Sequence, residues 1–278
     1  MNNLIKVLII AGLVISIFGG GGYLTYRLFF KKTEKFRLGA NHPVVTPTPD
    51  QGITMFEQAN REISRGNTEN GQKILLALIQ NLPKSERNSD AKSLLGSLNM
   101  QAFFSAKPGP EKIEYVVARG DSIAKIAIKT KCAPELIFKV NGLDSLTIQP
   151  GQKFIIPKGD FSLVVDLKQR GVTLLNKGAF FRSYEPLEFR LPGTVAPGHF
   201  KVHEKIAWSA TNRVAFGEKN YLGSSRWIVM NTAGIAIYSE TNPGSPNTQK
   251  PANGIRLMAA DMEELFALVA KDTPVVLK

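Results

Sequence analysis

The sequence holds one cysteine, Cys132, and three histidines, His42, His199 and His203, among 278 residues. A single thiol excludes an intramolecular disulfide framework and any multi-cysteine zinc site. None of the histidines is near Cys132 in the chain, so no local base accompanies the thiol, and a lone cysteine of this kind is expected to be a small buried hydrophobe. Acidic residues are also in the minority: Lys and Arg number 35 against 23 Asp and Glu, for a formal charge of +12. The excess is spread out, with +5 in residues 1–40, none in 41–105, +4 in 106–159 and +3 in 160–278. A basic stripe with aromatic or helix-turn-helix context is missing, so nucleic acid is not an expected partner. With 43% hydrophobic residues the chain as a whole is neither disordered nor a multi-span membrane protein. Its length predicts about two domains.

Residues 7–26 contain no charge, and about 20 such residues cross a bilayer as a helix. Residues 1–40 are therefore read as a membrane anchor, a single pass through the cell inner membrane. The same stretch also fits a cleaved signal peptide, with Lys6 before the apolar run 7–18 and the glycines 19–22 after it, though no A-x-A site is present. Arg27, Lys31, Lys32, Lys35 and Arg37 follow the span, a bias that by itself keeps the C-terminal side in the cytoplasm. The segments downstream favour the opposite side, facing the periplasm or cell wall. Three prolines within 42–50 predict an extended linker over 41–52.

Over 53–105 apolar residues recur at helical spacing: Met55, Phe56, Ala59 and Ile63, then Ile74, Leu75, Leu78 and Ile79, then Leu94, Leu95, Leu98 and Ala102. Breaks at 66–71 and 82–90 divide them into about three helices. The pattern resembles a single tetratricopeptide-type repeat with a following helix. One such unit does not bury both faces, so it needs a neighbour, a partner protein or a second copy of the chain. A small helical spacer packing on itself is the alternative.

Residues 114–157 read as strand, helix, helix, strand, with Asp121 or Ser122 capping the first helix, Pro134 in the first turn of the second and Asn141-Gly142 ending it. The stretches YVVARGDSIAKIA, LIFKVNGL and IQPGQKFIIP closely resemble a LysM domain, here spanning 110–159. That resemblance implies a βααβ fold and binding of N-acetylglucosamine polymers such as peptidoglycan. It places the sugar in a groove formed by Gly120, Asp121, Ser122 and Ile123 on one side, and by Asn141, Gly142 and Leu143 with Gln149, Pro150 and Gly151 on the other.

From residue 161 the chain turns to short alternating runs at 162–167, 171–178, 198–205, 227–232 and 234–239, a β-rich pattern closed by a helix over 260–270. His199 and His203 lie four apart beside Glu204, but alternation and Pro197-Gly198 predict a strand, on which they stand about 13 Å apart, too far for one metal ion. Trp208 and Trp227 are expected in the core rather than as sugar platforms. The stretches LVVDLKQRGVTLLNKG, FRLPGTVAPGHFKVHEK, GIAIYSETNPGS and NGIRLMAADMEELFALVAKDTPVVL resemble an L,D-transpeptidase catalytic domain over 160–278. That family cross-links peptidoglycan through a cysteine acyl-enzyme with a histidine base.

Carried onto this chain, the family's first histidine position falls on Tyr238, and the element that holds its base and nucleophile reduces to Asn253 and Gly254, followed by Arg256, with the cysteine deleted. Asn does not take a proton at neutral pH, an ordinary tyrosine is a poor base, and Ser239 or Ser245 as a substitute would itself require one. The expected fold class is α+β multidomain: a transmembrane helix, a short helical segment, a βααβ LysM and a β-rich L,D-transpeptidase-like domain. The expected function is peptidoglycan binding by a pseudoenzyme of the cell envelope, with no cofactor and no metal. An active transpeptidase using substitute residues, and an adaptor recruiting a protein partner through 53–105, are the alternatives.

Overall fold

The computed structural model describes residues 50–231, 234–240 and 250–278. The expected membrane anchor, all of the Pro-rich linker before Asp50, and Ser245 lie outside the described residues. Among the described residues no helix is long and apolar enough to cross a membrane.

Three helices open the described chain: α1 (Gln51–Ser64), α2 (Thr68–Asn81) and α3 (Asn88–Phe104). The first starts two residues earlier than its apolar pattern suggested because Asp50 caps it. The Asp50 carboxylate accepts from the Gly52 amide at 2.9 Å, and also from Ser85 Oγ at 2.8 Å and the Glu86 amide at 2.9 Å, which ties the start of α1 to the turn before α3. Ala59, Leu75, Leu78, Ala91 and Leu95 form the buried centre of this unit. Its outer neighbour is the chain's own sheet. Asn99 Nδ2 on α3 donates to the Phe181 carbonyl at 2.9 Å, and Gly96 lets the helix pass close over Arg182.

The next segment pairs β1 (Lys112–Val116) antiparallel with β2 (Lys153–Pro157) and lays α4 (Ile123–Thr130) and α5 (Pro134–Val140) against them. Val117, Ile123, Ile126, Ala127, Ile137, Phe154 and Ile156 make its core. Pro134 stands in the first turn of α5, where a missing N–H costs nothing, and Ser122 Oγ caps α4 by accepting from the Lys125 amide at 3.3 Å. Leu136, Val140 and Ile155 face away from this core and join Met100 and Phe103 of α3 in the larger core of the C-terminal sheet. The three segments thus share buried surface.

Ten strands follow: β3 (Phe161–Asp166), β4 (Gly171–Asn176), β5 (Ala179–Tyr184), β6 (Glu188–Arg190), β7 (Gly198–Ser209), β8 (Asn212–Val214), β9 (Ser225–Met230), β10 (Ile235–Tyr238), β11 (Asn253–Arg256) and β12 (Pro274–Leu277), with α6 (Ala259–Leu268) before the last. Their order is β5-β4-β3-β12-β7-β9-β10-β11-β6, with β8 hairpinned onto β7. The start of β7 pairs with β12, and its later part, past a register shift between Val202 and Glu204, pairs with β9. Such a bulge bends a strand. Met262, Leu265 and Phe266 of α6 seal the core. Sequence alternation located β3, β4, β7, β9 and β10. The three-residue β6 and β8 are too short to alternate, and β11 lies where the chain was read as a catalytic remnant. His199 and His203 are exposed on β7, and among the described residues no group of three metal-binding side chains occurs.

Candidate functional site

Two loops of the βααβ segment are drawn to one end by Val117. Its amide donates to the Gln152 carbonyl at 2.9 Å and its carbonyl accepts from the Gly151 amide at 2.8 Å, so the loop at 118–122 stands beside the turn at 149–152. Gly120 and Gly151 adopt φ of +83° and +89°, and open space surrounds the place where a Cβ would be. Both positions leave the backbone accessible to a ligand. Ser122, Gly142, Gln149 and Pro150 are likewise exposed.

The other candidate residues are used internally. Asp121 has a side chain only 3% exposed; it accepts from Lys129 Nζ at 2.6 Å, Tyr115 Oη at 2.7 Å and the Ala118 amide at 2.9 Å. Lys129 first, then Tyr115 and the Ala118 amide, hold its carboxyl down to about 2. Asp121 therefore shapes the loop rather than offering itself to a ligand. Ile123 is a core residue, and Leu143 packs half-buried on the same core. Asn141 Nδ2 donates to the Ile137 and Ile155 carbonyls at 2.8 and 2.9 Å while its Oδ1 accepts from the Ile155 amide at 2.7 Å.

In the C-terminal domain the parallel pair β10 and β11 sets Ala236 opposite Gly254 and Tyr238 opposite Arg256, and Tyr238 also faces Trp227 on β9. These residues converge by packing. Tyr238 is 1% exposed, and a Cβ on Gly254 would come within 3.0 Å of its ring and 2.6 Å of the Ala236 carbonyl oxygen. Burial raises the Tyr238 phenol above its ordinary value, with the Glu188 and Glu240 carboxylates adding to the effect, so it stays protonated and is no base at neutral pH.

Glu188 is the hub of the site and was not legible in the sequence, since only the pairing of the three-residue β6 with β11 brings it there. Its carboxylate lies 2.8 Å from Arg190, 3.5 Å from Lys250, 3.5 Å from Arg256 Nε and 3.5 Å from Tyr238 Oη. Burial opposes its ionisation, but Lys250, Arg190 and Arg256 together outweigh that and hold the carboxyl below its ordinary value. Ser239 is buried with its Oγ accepting from the Arg226 amide at 3.3 Å. Asn253 opens β11 half-buried. The ensemble is an ion-pair network over a filled floor, in which Tyr238 is a protonated phenol and the described hydrogen bond of Ser239 Oγ is from the Arg226 amide. Trp227 meets Tyr238 edge-to-face (centroids 6.2 Å apart) and Trp208 at a tilt (5.5 Å), and both indoles are half-buried.

Cys132 packs half-buried between the two cores, and burial pushes its thiol up to about 12.

Comparison with known proteins places the LysM domain family on residues 115–157. The sequence matches none of the curated proteins. Among solved structures the chain is similar to an L,D-transpeptidase from Mycobacterium smegmatis, with 13% identity and a TM-score of 0.30 over 46% of this chain and 63% of the other. It is similar to L,D-transpeptidase (Yku) from Stackebrandtia nassauensis, with 18% identity and a TM-score of 0.30 over 44% and 56%. It is also similar to the catalytic domain of an E. faecium L,D-transpeptidase acylated by ertapenem, with 18% identity and a TM-score of 0.28 over 44% and 98%. This chain therefore spans less than two thirds of the first two of these structures.

Proposed function

We propose that the protein binds peptidoglycan through its LysM domain, is held at the inner membrane by its N-terminal segment, and carries a C-terminal domain without transpeptidase activity. The observation that carries the reading is the LysM match at 115–157 together with the accessible backbone at Gly120, Gly142 and Gly151. Loops of this kind let a sugar approach the main chain closely. Ser122, Gln149 and Pro150 flank that surface, whereas Asp121, Ile123, Asn141 and Leu143 support it from within.

Membrane anchoring rests on the charge-free run at 7–26. A location on the periplasmic or wall side follows from the ligand, because peptidoglycan lies there. Loss of catalysis rests on residue chemistry. Covalent acyl transfer requires an activated nucleophile and a base within hydrogen-bond reach. The one thiol sits in another segment and is held protonated by burial, Tyr238 is a buried neutral phenol, and Asn253 has no basic nitrogen. Docking of α3 on β5 occupies the face that a recruited partner of the helical segment would otherwise cover, which favours a structural role for that segment.

The test is co-sedimentation of the full chain with insoluble peptidoglycan. Retention in the pellet, competed by soluble N-acetylglucosamine oligomers, is the expected result; complete recovery in the supernatant would refute glycan binding.

A further inference from the structure

A cavity of about 630 Å³ lies between the LysM segment and the C-terminal sheet, away from the glycan loops and from Tyr238. Ala124, Ala127 and Ile128 of α4 form one wall, and Val214 and Phe216 of the β8–β9 region form another. Ile128 is 79% exposed at its edge. Cavities of a few hundred Å³ with mostly apolar walls and few polar groups are the usual form of small-molecule sites.

Lys205 on β7 reaches into this cavity with a side chain 16% exposed. Its Nζ lies 4.2 Å from the centroid of the Phe266 ring and 3.8 Å from Glu135 Oε2, an ion pair too long for a hydrogen bond. Glu135 Oε1 accepts from the Tyr221 hydroxyl, and Oε2, buried without a hydrogen bond, faces Lys205 as its counter-charge. Among the described residues the ammonium has Glu135 as its charge partner and no acceptor within hydrogen-bond distance, so its N–H donors remain available to a ligand in the cavity. Burial depresses the Lys205 amine, with Glu135 opposing the effect. Lys131 and Lys271 also line the cavity, and Glu135 is its single carboxylate, so the field inside favours an anion.

We propose that this cavity binds a small carboxylate with an apolar body, its carboxylate seated on Lys205 and its hydrocarbon against Ala127, Ile128 and Phe216. An inorganic anion would leave those walls wet, and a neutral amide would forgo attraction to the net positive charge that Lys205, Lys131 and Lys271 set against Glu135. The proposal is independent of glycan binding, since none of the exposed glycan-loop residues lines the cavity.

The test titrates hexanoate and benzoate into the full chain held in phospholipid nanodiscs, with hexanamide and inorganic phosphate as matched probes at constant ionic strength. Calorimetry reports binding, and the rate at which a small maleimide modifies Cys132, which lines the same cavity, reports occupancy. Saturable binding of the carboxylates, slower modification of Cys132 and about tenfold weaker binding of hexanamide are expected. Lys205→Met should abolish the preference for carboxylate over amide. Ala124→Phe, which narrows the cavity while leaving Lys205 and Glu135 in place, should weaken all apolar probes. Both variants should keep the far-UV circular dichroism spectrum and cooperative thermal unfolding of the parent chain, which establishes that they fold. Equal affinity for hexanoate and hexanamide, tighter binding of phosphate than of hexanoate, undiminished binding by both variants, or no saturable binding at all would overturn the proposal.

Discussion

The side-chain amide of Asn141 takes up both main-chain hydrogen-bonding groups of Ile155, accepting from its N–H at 2.7 Å and donating to its carbonyl at 2.9 Å. A residue that the glycan-binding resemblance marks as a contact is thus the clamp between the end of α5 and the middle of β2. Asn141→Ala leaves the Ile155 amide and carbonyl without partners in the fold, while the Ile137 carbonyl keeps the Asn141 backbone N–H, at a cost of about 2–4 kcal/mol. Urea denaturation measures it. Asn141→Asp keeps an acceptor for the amide and should fall between the two. A loss under about 0.5 kcal/mol for the alanine variant would show that water replaces the clamp.

Asp121 gives the LysM loop a pH signature. Its carboxyl, ordinarily at 3.8, is held at about 2 in the fold, so its contribution to stability is complete above its ordinary value and is lost as pH falls from about 4 through about 2. Asp121→Asn should lower Tm at neutral pH and lose most of that deficit near pH 2. An equal deficit at both pH values would mean that packing, and not the Lys129 ion pair, is responsible.

Gly254 and Tyr238 respond to substitution as packing residues. Gly254→Ala forces a methyl against the Ala236 carbonyl oxygen, which is main chain and does not swing away, and should cost about 1–3 kcal/mol. Tyr238→Phe removes a hydroxyl that donates to Glu188 at 3.5 Å, a long hydrogen bond, and should cost under about 0.5 kcal/mol, whereas Tyr238→Ala should cost about 3–5 kcal/mol. A large loss in Tyr238→Phe would assign the hydroxyl a role that the geometry does not.

Intact-mass analysis after incubation with a carbapenem should find the full chain unmodified, and a stable adduct on the C-terminal domain would restore the enzymatic reading. Cys132 is the internal control. With its thiol at about 12, alkylation at pH 8 should be slow in the folded protein and should accelerate roughly a hundredfold or more in denaturant, where an ordinary thiol is partly ionised. Equal rates would place the thiol in solvent.

The βααβ segment was the most legible part of the sequence, because Ser122, Pro134 and Gly142 are local signals that act within one turn of the chain. The three helices were legible for the same reason, although Asp50 moved the first boundary through bonds to Ser85 and Glu86 that no local pattern encodes. Strands read from alternation, such as β3 and β4, were found where one face is buried and the other half-open. β10 was located as well, at 234–239, but Ile235 through Tyr238 are buried on both faces, and its parallel partner β11 was not read as a strand. Glu188, Lys205 and Glu135 gave no signal at all, since their partners are set by sheet order and by the docking of α5. The sequence also marked Asn141 and Asp121 as ligand contacts without revealing that their hydrogen bonds are spent inside the fold.

Lys139 on α5 stands 3.9 Å from Glu263 on α6, Glu135 on α5 bonds to Tyr221, and Leu136 and Val140 are sunk into the sheet's core. Because α5 lends side chains to the sheet's core, the βααβ segment and the C-terminal sheet are expected to melt as one cooperative unit, and cutting the chain between them would expose apolar surface on both halves.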